Sequence, residues 1–307
     1  MINSTAAATP LALVTRRFLR HRLALVSAGV LVVLAAASLL APVVEGWLGL
    51  DANAVNLFNR LAAPSAAHPL GTDEAGRDVL LRLLYGGRVS LFVGIAAALT
   101  AAVLGTTVGL LSGYFGGRLD ALFMRLTDGV IALPLLPLLI VLAAIDLQKL
   151  GFSAEAAQAE SMSLYRIVVI VALVGWTTVA RLVRATALSL RERPFVLAAR
   201  AQGASSFRIM TVHILPNLAS PIIVATTLSV GNVILLESVL SFLGLGIQPP
   251  LPSWGNLLTN AQELIWDAPA LAVYPGLAIF VTVIAFNFVG DGLQDALDPR
   301  SLERGKR

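Results

Sequence analysis

Apolar residues in this chain are gathered into long runs that contain few or no charges. A helix needs about 20 such residues to cross the hydrocarbon core of a bilayer. Six runs come close to that length and predict transmembrane helices within residues 23–44, 89–117, 129–145 (extending back toward 121), 164–188, 209–236 and 268–290. The pattern therefore predicts an all-α, polytopic membrane protein with six transmembrane helices.

A seventh uncharged stretch, residues 238–262, has a different composition. It contains glycines and prolines that would break a helix exposed to lipid, namely Gly244, Gly246, Pro249, Pro250 and Pro252. We therefore predict a loop or a re-entrant segment that packs against the rest of the protein.

The distribution of lysine and arginine orients these helices, because cytoplasmic loops carry the excess of positive charge. With the N-terminus inside, sixteen of the 22 basic residues fall in cytoplasmic segments. Six arginines against a single acid, Glu192, surround the loop between the fourth and fifth helices. Both termini are therefore predicted to be cytoplasmic. The uncharged run at 23–44 exceeds the 7–15 residues of a signal-peptide core, so we expect an uncleaved first helix.

Composition supports a membrane protein and excludes several functional classes. Hydrophobic residues make up 57% of the chain and charged residues 13%, about half of what soluble domains carry. There is no cysteine, and the three histidines lie far apart, so no metal site is predicted. No nucleophile, base and carboxylate come together in the sequence, so no catalytic residues are predicted either. The net charge of +4 follows from the topology signal, and nucleic-acid binding is not expected.

The loop between the fourth and fifth helices predicts a short helix. Pro194 suits a first helical turn, and Gly203 suits the position just beyond a helix C-terminus. Ser205 or Ser206 can cap a second helix that leads into the fifth span. From the residues alone, this loop either fits a socket on another protein or anchors the chain to lipid headgroups.

Two motifs in this loop carry a specific resemblance. Leu197-Ala-Ala-Arg-Ala-Gln-Gly203 followed by His213-Ile-Leu-Pro216 resembles the EAA loop of bacterial ABC-importer permeases. Leu197 replaces the glutamate of the general motif and His213 replaces an isoleucine. Both replacements are typical of the dipeptide/oligopeptide/nickel branch of that family.

Other segments resemble the same branch, in the same order, from about residue 16 to 300. They begin at His68-Pro-Leu-Gly-Thr-Asp, Tyr85-Gly-Gly-Arg, Gly113-Tyr-Phe-Gly-Gly, Ser241-Phe-Leu-Gly and Asn287-Phe-Val-Gly-Asp. The chain is thus identified as similar to the C-type inner-membrane subunit of that branch. The resemblance implies a type I-like permease core in the bacterial inner membrane.

The resemblance also implies a role for the loop at about 189–213, which would dock in a groove of a cytoplasmic ATPase. Closure of two ATPases on ATP would then rock the fourth and fifth helices between inward-open and outward-open states. The small residues would allow close approach to the groove, and the arginines would form ion pairs at its rim. The implied coupling residues are Arg193, Pro194, Phe195, Ala198, Ala199, Arg200, Ala201, Gly203, Ala204, Ser205 and Arg208.

The partners implied are a homologous second permease subunit, two ABC ATPase subunits, an external substrate-binding protein and the lipid membrane. The sequence has no Gly-x-x-x-x-Gly-Lys-Ser/Thr loop for phosphate, so ATP and Mg²⁺ would bind to the partner ATPases and no cofactor to this chain. Residues 1–85 are expected to form an N-terminal unit with the first helix, and residues 86–307 a five-helix core.

The implied cargo is di- or oligopeptides, with nickel, glutathione or another small solute as alternatives. A secondary transporter driven by ion gradients and a membrane scaffold are alternatives from other classes. Paired intramembrane acids and an inverted repeat, which many secondary transporters contain, are not visible in the sequence.

A few further residues have open or purely structural interpretations. Glu237 is the lone acid between residues 209 and 262, expected near the outer helix end where water reaches it. A gating role and a contact with substrate are both open for it. Thr72 or Asp73 is expected to cap a helix that starts at Glu74. Solvated helix ends are expected to account for Asp128, Asp146, Asp291 and Asp295, and close helix packing for Gly105, Gly109 and Gly113.

Overall fold

A computed structural model describes residues 10–298 of the chain. Within this range it contains thirteen α-helical segments and no extended pairing beyond one isolated bridge between Thr72 and Asp78. The segments are α1 Pro10–Phe18, α2 Arg22–Leu39, α3 Ala41–Leu48, α4 Val79–Phe115, α5 Gly117–Ala132, α6 Leu135–Ala143, α7 Ala154–Gln158, α8 Glu160–Arg191, α9 Pro194–Ala201, α10 Ser206–Arg208, α11 Leu215–Phe242, α12 Ala261–Leu264 and α13 Ala270–Leu297. The basic C-terminal residues from Arg300 onward lie outside the described residues.

Within residues 10–298, five helical spans are long and apolar enough to cross a membrane: α2, α4, α8, the continuous run Ser206–Phe242, and α13. A sixth exists if α5 and α6 are counted together, although they meet at an angle of 90°. The expectation of six helices holds in this form. The third predicted span, 129–145, is broken by a bend that the sequence analysis did not predict, because Leu133 leaves the helical conformation before Pro134 and the axis turns there.

Helix α4 packs against α8 along most of its length. A Cβ on Gly105 would lie 2.5 Å from the carbonyl oxygen of Trp176, and one on Gly109 would lie 2.5 Å from that of Ala180. A Cβ on Gly113, the next glycine of this series, would lie similarly close to the side chain of Ala187. Glycines four residues apart therefore let the two backbones touch, as the sequence predicted.

The other long helices surround this pair. Helix α11 packs against α4, α8 and α13, and α13 also packs against α2. One buried cluster lies toward the outer loop and includes Ile234 and Trp254, while a second lies toward α9 and includes Val183 and Ile214. Many apolar side chains on α2 remain exposed, including Val32 and Val33, as expected for a surface that meets lipid or another subunit.

The segment after α11 folds back against the protein, as its prolines and glycines predicted. Trp254 is almost fully buried, and its indole Nε1 donates to the carbonyl oxygen of Leu83 over 2.9 Å. A Cβ on Gly255 would lie 2.5 Å from the Cα of Ser238. The loop therefore packs directly onto the start of α4 and the end of α11.

The outer segment before α4 corrects one expectation. Helix α4 begins at Val79, with Asp78 as its N-cap accepting a 2.8 Å hydrogen bond from the Leu81 amide. Asp73 instead accepts from the Arg77 side chain over 2.7 Å and closes a turn. The prediction of a helix that starts at Glu74 is therefore wrong. The acids of this segment instead accept hydrogen bonds from backbone amides and arginine side chains.

Candidate functional site

A short exposed helix, α9, connects α8 to the run that leads into α11. Arg193 has an extended backbone at the N-cap and Pro194 occupies the first helical turn. Gly203 follows the helix with φ +83°, a left-handed conformation that glycine adopts without strain. The Ser205 hydroxyl then accepts from the Arg208 amide over 3.3 Å and caps α10. The local structure predicted for this loop is present.

One face of α9 belongs to the chain's own core. Val196 is fully buried and Ala199 is nearly so, and both join a cluster with Tyr114, Ile209 and Met210. The small size of Ala199 therefore serves internal packing. Arg200 lies on the rim of this contact, with its guanidinium carbon 5.8 Å from the centre of the Tyr114 ring.

The opposite face of α9 and the turn after it are open. Phe195, Leu197 and Phe207 are 43%, 44% and 72% exposed. No carboxylate in the described range pairs with Arg193 or Arg208. Apart from its two chain neighbours, no described residue has an atom within 4 Å of where a Cβ on Gly203 would lie. The loop thus presents apolar and basic groups outward from a rigid base.

The helix ends beside α9 are joined by polar contacts. The Arg191 guanidinium donates to the carbonyl oxygens of Gly113 and Tyr114 over 3.3 and 3.4 Å, which ties the end of α8 to the end of α4. On α5, Asp120 pairs with Arg184 and Asp128 pairs with Arg181. Asp128 is 61% exposed, in keeping with the expected solvation, and its ion pair with α8 is an additional contact that the sequence did not predict. Asp146 caps a 3-10 turn through the Gln148 amide.

Glu237 is placed differently from its expected position in water at a helix end. It is fully buried, and the hydroxyls of Ser90 and Ser241 donate to its two carboxylate oxygens over 3.1 and 2.7 Å. Ser90 in turn accepts from the amide of Trp254 over 3.1 Å. No basic side chain in residues 10–298 pairs with it. Its contacts join α4, α11 and the outer loop, and no signal in the sequence indicated Ser90 as its partner.

A cavity of about 270 Å³ opens where α5 and α6 break, against the middle of α8 and α11. Its walls are apolar apart from a few hydroxyls and one carboxamide, that of Asn232. We call it the midspan cavity. The sequence alone did not indicate it.

The structure brings most of the predicted coupling residues together on and around α9. Ala198, Arg200, Ala201 and Gly203 are exposed there, while Ala199 faces inward. Glu237 lies apart from this group and belongs to the outer-loop contacts described above.

Comparison with known proteins identifies the family. Residues 105–303 match the family described as the binding-protein-dependent transport system inner membrane component. Residues 9–64 match the N-terminal TM domain of oligopeptide transport permease C. The chain belongs to the binding-protein-dependent transport permease family.

Relatives in this permease family align over most of the chain. The dipeptide transport system permease protein DppC of Alkalihalophilus pseudofirmus is 44% identical over 80% of this chain and 76% of its own length. The glutathione transport system permease protein GsiD of Pectobacterium atrosepticum is 40% identical over 98% of this chain and 94% of its own length. A putative peptide permease protein of Brucella suis is 39% identical over 96% of this chain and 93% of its own length.

A solved structure has the same permease fold. A chain of the MetNI methionine ABC transporter, in a structure of its inward-facing conformations, aligns with a TM-score of 0.55. The alignment covers 71% of this chain and 96% of that one, at 18% identity. The core of this protein is therefore a type I-like ABC-importer permease core, and the chain is a transport subunit.

Proposed function

We propose that this permease is one membrane subunit of an ATP-driven importer for di- or oligopeptides. The geometry of α9 is the observation that supports an ATP-driven mechanism. This helix is anchored by Val196 and Ala199 on one face and exposes Phe195, Ala198 and Gly203 on the other. A helix anchored in this way would transmit a push to α8, which precedes it, and to the run Ser206–Phe242, which follows it.

The peptide cargo is supported by the relatives. Two of them are named for dipeptides or peptides, and the dipeptide permease has the higher identity of the two over its aligned region. The glutathione permease supports a second candidate, since glutathione is itself a small peptide. Both cargoes share amide groups, which a nickel ion lacks.

The proposed importer would contain several further subunits. Two cytoplasmic ATPases would bind ATP and Mg²⁺ and receive α9, and an external binding protein would deliver the cargo. A homologous second permease would complete the pathway. The N-terminal unit at residues 1–85 would lie beside the five-helix core at 86–307. The excess of arginine around α9 supports a cytoplasmic position for this loop and for both termini.

Purification of the tagged chain from its native membrane in mild detergent tests this assembly. We expect a second permease and ABC ATPase subunits to be recovered with it. Variants at Phe195 and Gly203 should lose the ATPases and keep the second permease. Recovery of the folded wild-type chain alone would contradict the proposal and favour a secondary transporter.

A further inference from the structure

We infer that the midspan cavity is part of the solute pathway, and that Thr178, Ser229 and Asn232 bind the main-chain amides of a passing peptide. This inference rests on the proposed import function and assigns it a binding surface.

The three polar residues lie deep within the membrane. Asn232 precedes the end of α11 at Phe242 by ten residues, or about 15 Å at 1.5 Å per residue. That is half of the roughly 30 Å hydrocarbon core. Ser229 lies one turn earlier on the same face of α11, and Thr178 faces the same cavity from α8. The cavity therefore lies about half the thickness of a hydrocarbon core inward from the Phe242 end of α11.

The polar groups there are not satisfied by the chain itself. Asn232 and Thr178 are exposed, and neither side chain hydrogen-bonds to any other residue in the described range 10–298. Ser229 donates to the carbonyl oxygen of Ala225 over 2.7 Å, which leaves its oxygen free to accept. A carboxamide without partners is costly in hydrocarbon. This face is therefore suited to water or a polar solute and not to lipid tails.

The backbone of the opposite cavity wall also indicates a space filled by water or solute. Irregular backbone at membrane depth is tolerated only where it is buried in protein or lines a water-filled cavity. The break between α5 and α6 at Leu133 and Pro134 is such a site, and Leu133 is half exposed at the cavity wall. This observation is independent of the polar side chains on α8 and α11.

The lining chemistry selects the class of cargo. A carboxamide donates and accepts hydrogen bonds, and so matches both the N–H and the C=O of a peptide bond whatever side chain follows. The apolar wall, formed by residues such as Ile131 and Val233, leaves room for varied side chains. Among the described residues, no carboxylate or imidazole lines the cavity, although transition-metal ions favour such ligands. The site fits the peptide bonds of a di- or oligopeptide better than a bare nickel ion.

Single cysteines test the position of this surface, because the chain has no cysteine of its own. We would make Asn232→Cys and Thr178→Cys in the assembled importer and measure their reaction with a water-soluble cationic methanethiosulfonate. Thr100→Cys on α4 is the matched control, since Thr100 is exposed, bonds to its own helix at Ala96 and does not line the cavity. Wild-type uptake of a labelled dipeptide is measured in the same preparation.

We expect the cysteines at 232 and 178 to react with the methanethiosulfonate at least tenfold faster than the cysteine at 100. The dipeptide, delivered by the binding protein in the presence of ATP, should slow both reactions severalfold. Equal rates at all three positions alongside normal wild-type uptake would overturn the pathway assignment and leave the import function standing. Rapid reaction that the dipeptide does not slow would overturn the amide-binding role. Absence of wild-type dipeptide uptake would count against the import function itself.

Discussion

Arg184 on α8 and Asp120 on α5 are joined by two parallel hydrogen bonds, from Nε over 2.5 Å and from Nη2 over 2.6 Å. Asp120 also accepts from the hydroxyl of Ser112 on α4. Three helices therefore meet at one carboxylate, next to the end of α8 that leads into α9. If α9 docks on an ATPase as proposed, its movement would reach α5 through α8 and this contact.

Reversal of the Asp120–Arg184 pair tests this connection. Asp120→Arg or Arg184→Asp alone should lower stability by about 1.5–3 kcal/mol, because a charge-assisted contact is lost and a like-charge pair replaces it. The double reversal should restore much of the stability and of the uptake. Thermal unfolding of the purified complex and ATP-dependent uptake measure the two effects.

The Arg181–Asp128 pair is the matched control, since its side chains are 49% and 61% exposed. Solvent screening should hold the effect of breaking it below about 1 kcal/mol. Equal losses from both pairs would contradict a special role for Asp120.

Replacement of Glu237 tests the contacts that hold the outer loop. Glu237→Gln keeps an oxygen that accepts from one serine hydroxyl and places an NH2 that can donate to the other, and should retain most of the stability. Glu237→Leu leaves the hydroxyls of Ser90 and Ser241 without this partner and should cost about 1–3 kcal/mol. Trp254 should then become more exposed, which its fluorescence reports in a background with Trp47, Trp176 and Trp266 replaced by Phe. Unchanged emission from Glu237→Leu would contradict the proposed link.

Substitution of Gly203 separates docking from folding. Asparagine adopts left-handed backbone more readily than most residues, and no atom of this chain lies within 4 Å of a Cβ there. Gly203→Asn should therefore insert and fold normally, yet lose ATP-driven uptake together with Gly203→Asp and Gly203→Trp. Protein levels in the membrane and uptake are measured in parallel. Wild-type uptake by these variants would refute a docking role for α9.

The close contact of α4 and α8 predicts opposite effects for two Gly→Ala changes. Gly109→Ala places a Cβ against the Ala180 carbonyl and should destabilise the protein by about 1–3 kcal/mol. Gly129→Ala meets nothing within 4 Å on α5 and should stabilise its helix by about 0.5–1 kcal/mol. Thermal unfolding of both variants decides the matter, and a similar effect at the two sites would contradict the packing described.

The sequence predicted the features that depend on local composition. Apolar runs located the spans, Pro194 and Gly203 bounded α9, and the glycine spacing on α4 indicated its contact with α8. The bend before Pro134 was missed because the apolar run continues through it and the proline lies inside. Helix α4 begins ten residues before its predicted start because Arg82, which interrupts the apolar pattern, is buried beside Asp73.

Contacts between distant segments could not be read from the pattern. Ser90 and Glu237 are 147 residues apart, and their hydrogen bond depends on how α4 and α11 cross. The same holds for Asp120 with Arg184, and for the three polar residues around the midspan cavity. Each residue type is common, and only the packing of the helices assigns it a partner or a role.

Uptake of a labelled dipeptide into proteoliposomes distinguishes ATP-driven import from transport driven by an ion gradient. The vesicles would contain this chain with its second permease, the ATPases and the binding protein. We predict accumulation that requires ATP and each partner, and that stops with Gly203→Asp. Accumulation that continues without the ATPases and follows an imposed ion gradient would contradict the account.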